Sequence, residues 1–314
     1  MKPRLCHRMI SQPPQIKWSL DDALGQLRAM NLRIDSAERL GGGIEFEVFV
    51  LRFRGRAPFV LKFPRERWIS NDNDQGLDSF QILHQEYALL SRSHQYGIPA
   101  PNIIGYLRPD EGPHVLMIEC IETDAVAVDD SQLGRIVKRL HELPLSRIHP
   151  IAQRGQSAST TVAQLTAARM AVVARFAELP GTLPTEEFLA HHLRPIDRFP
   201  SLLHMDLRPA NYLTRQGRLM GLIDWSNALS ANPLLELARV EEYGGLTDRF
   251  ASGYGSSDLR TELQRPLGLC CRLYTAAMLA VVFLSEAPDR NLATIKVKRL
   301  KDLLEQLRAV SDDG

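Results

Sequence analysis

The sequence has no surplus of charge of either sign: 38 Lys and Arg stand against 37 Asp and Glu in 314 residues. Nothing in that balance would draw the chain to nucleic acid or to an anionic membrane. Cysteines number four, Cys6, Cys120, Cys270 and Cys271, with no CxxC spacing. An adjacent pair suits neither a disulfide framework nor a zinc site, so a reducing compartment is expected. The opening MKPRLCHRMISQPPQIKWS carries charge and lacks the apolar core of a secretory signal. The longest apolar run, LYTAAMLAVVFLS from Leu273, has 13 residues, against about 20 needed to span a bilayer. It is expected to be a buried helix. Internal repeats and low-complexity tracts are also missing. These absences together predict a cytoplasmic protein without nucleic-acid or membrane partners, and they assign no oligomeric state.

What is present divides into two patterns. Residues 1–18 read as a flexible tail, with Pro13-Pro14 stopping regular structure. Ser19 then caps a short helix whose Leu20, Ala23, Leu24 and Leu27 recur at helical spacing. From Leu40, IEFEVFVLRFRG and APFVLKFP alternate as the two strands of a hairpin, SNDNDQG reads as a polar loop, and LDSFQILHQEYALLSRSHQYG as a helix. HVLMIECIE follows as another strand. Beyond Thr123 the period becomes helical, interrupted by a hairpin around Asp206 to Asp224. The expected fold class is α+β and bilobal. A small antiparallel-sheet lobe with one main helix occupies 19–122, and a larger helical lobe occupies 123–314.

The chemistry concentrates in LHMDLRPAN, residues 203–211, and GLIDWS, residues 221–226. Pro209 between Asp206 and Asn211 rules out a regular helix there. NYLTRQGRLMGLID then reads as strand, turn at Gln216-Gly217, strand, which brings Asn211 back toward Asp224. Two carboxylates about 4 Å apart repel by about 4 kcal/mol at an effective dielectric near 20 unless a cation intervenes. Asn and Asp oxygens are the hard donors that magnesium takes, usually with phosphate oxygens. Asp206 is left to orient a hydroxyl and accept its proton.

HMDLRPAN with LIDWS resembles the catalytic loop and metal-binding aspartate of the aminoglycoside phosphotransferase family, which is kinase-like in fold and includes choline and other small-molecule kinases. Met205 stands where the family usually has glycine. NPLLELA, 232–238, is similar to the family's Asp-Pro-x-x-Asp-Leu-Ala, with Asn232 and Glu236 replacing both aspartates. A kinase-like site also needs a phosphate cover, a strand lysine and a helix acid. Gly41, Gly42 and Gly43 precede a strand, Lys62 ends the next one, and Glu86 lies in the helix HQEYALL. The resemblance makes LMIECIE the hinge, where the backbone of Glu119 and Ile121 would hold adenine.

What the resemblance implies is a small-molecule kinase. ATP, or GTP, would be the donor and a small hydroxylated acceptor would receive the γ-phosphoryl group. Asp206 would be the base, Arg208 would contact the transferring phosphate, and Asn211 and Asp224 would hold Mg2+. The alternative is a kinase-like protein that binds nucleotide and acts by interaction without transfer. Taken singly, Asp206 and Asn211 also read as cap and turn residues, Gly41–Gly43 as a simple turn, and Arg208 as a solvated charge. His204 reads as a brace for the loop, Trp225 as core filler, and His191-His192 as a helix surface, since neighbouring helical residues point about 100° apart. From Leu145 to Pro200 there are 4 acids and 6 Arg, and from Ser230 onward 12 acids and 11 bases. That balance disfavours a polycationic acceptor and leaves a neutral or anionic one.

Overall fold

The computed structural model describes residues 16–28, 32–124, 126–143 and 150–312. Residues 1–15 of the expected tail lie outside the described residues, and its last positions are tied down. Lys17 bridges Glu66, the Trp18 N–H donates to Arg65 O at 2.8 Å, and the Trp18 ring stacks on Phe80. Helix α1 (Leu20–Arg28) opens on a reciprocal cap. Ser19 N–H and Oγ both donate to Asp22 Oδ2 at 2.7 Å, and Ser19 Oγ accepts the Asp22 N–H.

The hairpin expected after Leu40 is β2 (Phe46–Phe53) and β3 (Arg56–Pro64), but a strand precedes it, β1 (Ser36–Gly42). The sequence hides β1 because it is an edge strand whose residues 36–41 are all exposed, so no buried face imposes alternation. The polar loop contains a second surprise, a small hairpin of β4 (Trp68–Ser70) and β5 (Gln75–Asp78). Asp78 caps α2 (Ser79–Ser93) by accepting the Phe80 N–H at 2.9 Å. Strands β6 (Ile103–Leu107) and β7 (Val115–Glu119) complete an antiparallel five-stranded sheet of order β1-β2-β3-β7-β6.

Both faces of this sheet are covered. Leu61 and Phe63 pack with Ala23 and Leu27 of α1, whereas Lys62 between them faces the other way, because strand side chains alternate. Helix α2 lies on that second face, and its Leu83, Leu89 and Leu90 belong to the large core.

That core continues into the helical part, built from α3 (Asp130–His141), α4 (Ala158–Val173) and α5 (Glu186–Leu193). The short strands β8 (Ser201–Leu203), β9 (Tyr212–Arg215), β10 (Arg218–Leu222) and β11 (Leu229–Ala231) follow, as pairs β8–β11 and β9–β10. Gln216 and Gly217, with φ of 52° and 73°, make the expected tight turn between β9 and β10. Helices α6 (Leu234–Glu242), α7 (Asp248–Tyr254), α8 (Leu259–Glu262), α9 (Pro266–Val281) and α10 (Arg290–Asp312) complete the chain. The apolar run from Leu273 is buried in α9 as expected, but the helix is longer than the run. Continuing through a π turn to Glu286 it has 21 residues, long and apolar enough to cross a membrane, with its apolar window 78% buried inside the fold.

Candidate active site

The segment HMDLRPAN leaves β8 and is held by backbone bonds to the strand pair behind it. His204 is fully buried, its Nδ1 accepts the Asp206 N–H at 3.1 Å, and its Nε2 meets Ile223 O at 3.0 Å. That pairing fixes the neutral tautomer with the proton on Nε2, and burial, the largest influence, lowers the imidazole pKa. His204 therefore braces the loop. The Ile223 N–H donates to Asn211 O at 3.1 Å, so the residue before Asp224 is pinned to the end of the loop. This is the convergence expected from the hairpin.

Met205 explains the family's preference for glycine. Its φ is 61°, in the left-handed region, and its side chain is fully buried. The Met205 N–H donates to Glu236 Oε1, and Glu236 Oε2 meets His141 Nε2 at 2.8 Å. Glutamate in place of the family's aspartate thus keeps the loop bonded to α6. Asn232, just before α6, likewise holds the helix start by accepting the Leu234 N–H at 3.0 Å.

Asp206 is 4% exposed and accepts three hydrogen bonds. Asn211 Nδ2 donates to its Oδ2 at 2.7 Å, Arg208 Nε to the same oxygen at 3.1 Å, and Tyr243 Oη to Oδ1 at 2.7 Å. A carboxylate offers about four acceptor positions, so room remains for one incoming hydroxyl. Arg208 accordingly sits on Asp206 through Nε, with its side chain half exposed. Sequence reading missed Tyr243 and Arg239. Arg239 donates Nε–H to Tyr243 Oη at 3.2 Å and brings Nη2 to 3.9 Å from Asp206 Oδ1. Burial pushes the Tyr243 phenol up to about 12, so it remains a donor near neutrality. Their separation by four residues was the available signal, but it could not say which element that helix face would meet.

On the sheet, Lys62 is 7% exposed and Glu86 1%. Lys62 Nζ lies 2.6 Å from Glu86 Oε2 and 3.1 Å from Asp224 Oδ1, closing an ion triad across the cleft. Burial opposes the charge on Lys62, but Asp224 and Glu86 outweigh it and raise its pKa. Burial also opposes the Asp224 carboxylate, which Lys62 and Ser226 nevertheless hold at about 2. Asp224 is itself in the left-handed region, φ 64°, and a third of its side chain is open. Such backbone conformations concentrate at functional sites.

Strand register aligns Gly41 with Val48, Val48 with Lys62 and Lys62 with Leu116. At about 4.8 Å per strand, Gly41 lies about 10 Å from Lys62. A Cβ at Gly41 or Gly43 would meet nothing within 4 Å, so the fold leaves open space there. Sequence reading passed over Glu45 in the β1–β2 turn. Burial, then the charges of Asp74 and Asp224, push its carboxyl up to about 8. At the expected hinge, the Glu119 N–H is already spent on Asn102 O at 2.8 Å.

A family model described as the phosphotransferase enzyme family matches residues 36–268. Among solved structures, the chain is similar to the GDP complex of wild-type aminoglycoside 2′-phosphotransferase-IIIa, with TM-score 0.59, 17% identity, and coverage of 91% of this chain and 97% of that one. A putative fructosamine-3-kinase from Haemophilus somnus 129PT gives TM-score 0.64 at 13% identity, covering 90% and 96%. The streptomycin–ATP ternary complex of an aminoglycoside phosphotransferase, APH(2″)-IIa, gives 0.58 at 13%, covering 92% and 99%. A comparison with curated proteins found no significant match. The likeness to these structures shows a shared protein-kinase-like fold, and the family match covers the glycine turn, the ion triad and the Asp206 loop. The chain belongs to the phosphotransferase enzyme family.

Proposed function

We propose that the protein transfers the γ-phosphoryl group of ATP to a hydroxyl of a small molecule. The observation that carries this reading is the meeting of Asp206, Asn211 and Asp224 with the Lys62–Glu86 pair in one cleft. Asp206, held by Tyr243, Arg208 and Asn211, orients the acceptor hydroxyl with its remaining lone pair and takes its proton. Lys62 neutralises nonbridging phosphate oxygens, and Arg208, tethered by Nε, turns its terminal nitrogens toward the moving phosphoryl group. With charge spread over a loose transition state, positioning and electrostatics supply most of the catalysis.

The donor set fits magnesium. Asn211 commits Nδ2 to Asp206, which turns Oδ1 away from that bond, and Asp224 binds Lys62 and Ser226 through Oδ1, leaving Oδ2 uncommitted among the described residues. Bound there, the ion would supply positive charge at the phosphate oxygens. Gly41 and Gly42 at the end of β1, with Gly43 after them, would offer bare backbone to the phosphates. At the hinge, the donor to adenine falls to the Ile121 N–H, because that of Glu119 is used. One neighbour is a GDP complex and another an ATP complex, so GTP is the second arm of the same assay.

Asp206→Asn tests the reading. Phosphoester formation, followed by phosphorus NMR, is expected to fall by about 100-fold or more, with nucleotide affinity nearly unchanged. Near-normal transfer by this variant would remove Asp206 from its role. Nucleotide binding by wild-type protein without ester or hydrolysis would favour the interaction-only alternative.

A further inference from the structure

Two buried arginines stand on α6 and α4, the helices that pack against α9, and the first of them adjoins Asp206. Arg239 on α6 is 3% exposed, and its one side-chain hydrogen bond among the described residues runs to Tyr243. Its Nη2, 3.9 Å from Asp206 Oδ1, faces the place an acceptor hydroxyl must reach. Arg169 on α4 is also 3% exposed, and its Nε and Nη1 are buried with no hydrogen-bond partner. The carboxylate it approaches, Asp74, stands 3.9 Å from Nη2, beyond hydrogen-bond distance. Arg169 Cζ lies 4.7 Å from the Tyr274 ring centroid on α9, the helix against which both α4 and α6 pack.

A buried guanidinium with unpaired donors is strongly unfavourable unless an anion meets it. Tyr274 takes the face of the Arg169 guanidinium, but nothing among the described residues accepts from Nε or Nη1, where a Met of similar length would leave no donor unpaired. Of the acids nearby, Asp206 is shared between Arg239 and Arg208, and Asp74 stays beyond hydrogen-bond distance of Arg169. Glu45 is pushed up to about 8 by burial first, Asp224 is spent on Lys62, and Glu286 accepts the Asn73 N–H at 2.8 Å and its Nδ2 at 2.9 Å.

We propose that the phosphate acceptor carries an anionic group, a carboxylate or a phosphate, which Arg239 and Arg169 bind while its hydroxyl rests on Asp206. This rests on the phosphotransfer reading. An oxyanion matches the planar fork of a guanidinium, and its arrival would satisfy the donors that the folded protein leaves empty. A polycationic acceptor would instead meet two fixed positive charges in a site of low dielectric.

The test uses full-length protein with ATP, Mg2+ and hydroxyl acceptors built on matched skeletons. Each skeleton bears a carboxylate, its carboxamide or an amine, and a parallel arm pairs sugars with sugar phosphates. The expected result is a preference in kcat/KM for the anionic member of about tenfold or more, with the two arms separating carboxylate from phosphate. In Arg239→Met and Arg169→Met the preference collapses toward unity, mainly through a higher KM for the anionic member. Arg169→Lys, which keeps the charge without the fork, is expected to recover part of it and serves if the Met variant does not fold. Equal or better turnover of the amide or amine overturns the inference and leaves phosphotransfer standing, as does a preference that survives both Met variants. Bound nucleotide with no phosphoester from any acceptor overturns phosphotransfer, and this inference with it.

Discussion

Met205 makes a sharp test of how this loop is held. Two contributions oppose each other at one residue, a left-handed φ of 61° and a fully buried side chain. Holding a non-glycine residue there costs about 1–2 kcal/mol, whereas truncating a buried Met to Ala typically costs about 2–5 kcal/mol. Met205→Ala loses the packing and keeps the strain. Met205→Gly loses the same packing but relieves the strain, less the extra backbone entropy of glycine in the unfolded chain. The expected order of stability is wild type, then Gly, then Ala, with Gly ahead of Ala by about 1 kcal/mol. Urea unfolding of the three proteins side by side measures it. Both variants keep the backbone N–H that Glu236 accepts, so the loop should stay in place and phosphotransfer should follow the folded fraction. If Ala equals or exceeds Gly, the φ of residue 205 is not strained and the account of the family's glycine is wrong.

Two further outcomes concern buried charge. Glu86→Gln leaves Lys62 with Asp224 alone, and denaturant unfolding should show a loss of about 1–3 kcal/mol together with reduced phosphotransfer. Unchanged activity would mean that Asp224 positions Lys62 unaided. Glu45 tests linkage. Its folded pKa is raised from 4.5 to about 8, so its contribution to stability is complete below pH 4.5 and is lost as pH rises through 8. Glu45→Gln should therefore gain Tm relative to wild type progressively from pH 5 to pH 9, and a constant difference over that range would contradict the shift.

Legibility differed by element for physical reasons. The hairpin β2–β3 could be read because α1 covers one face and α2 the other, so both strands are dense in β-branched and aromatic residues on either side of a short turn. Strand β1 could not, since its exposed residues are held by backbone bonds that any sequence makes. The β4–β5 hairpin was too short to show a period. In the site, the types and spacing of Asp206, Asn211 and Asp224 were informative because a proline and a tight turn fix local geometry within a few residues. Tyr243 and Arg239 carry no such local mark, and their part in the site depends on how α6 packs.

The sequence by itself determined the local constraints: the capped α1, the alternating strands, the loop broken at Pro209, the turn at Gln216-Gly217 and the inventory of ionisable groups. Each follows from backbone stereochemistry or side-chain periodicity over short distances. Only the tertiary structure decided which groups share a cleft. It set Lys62 between Glu86 and Asp224, gave Asp206 the Tyr243 hydroxyl as a donor, and left Arg169 Nε and Nη1 buried without hydrogen-bond partners. Those are contacts between elements far apart in the chain, and their strength depends on burial, which no local pattern specifies.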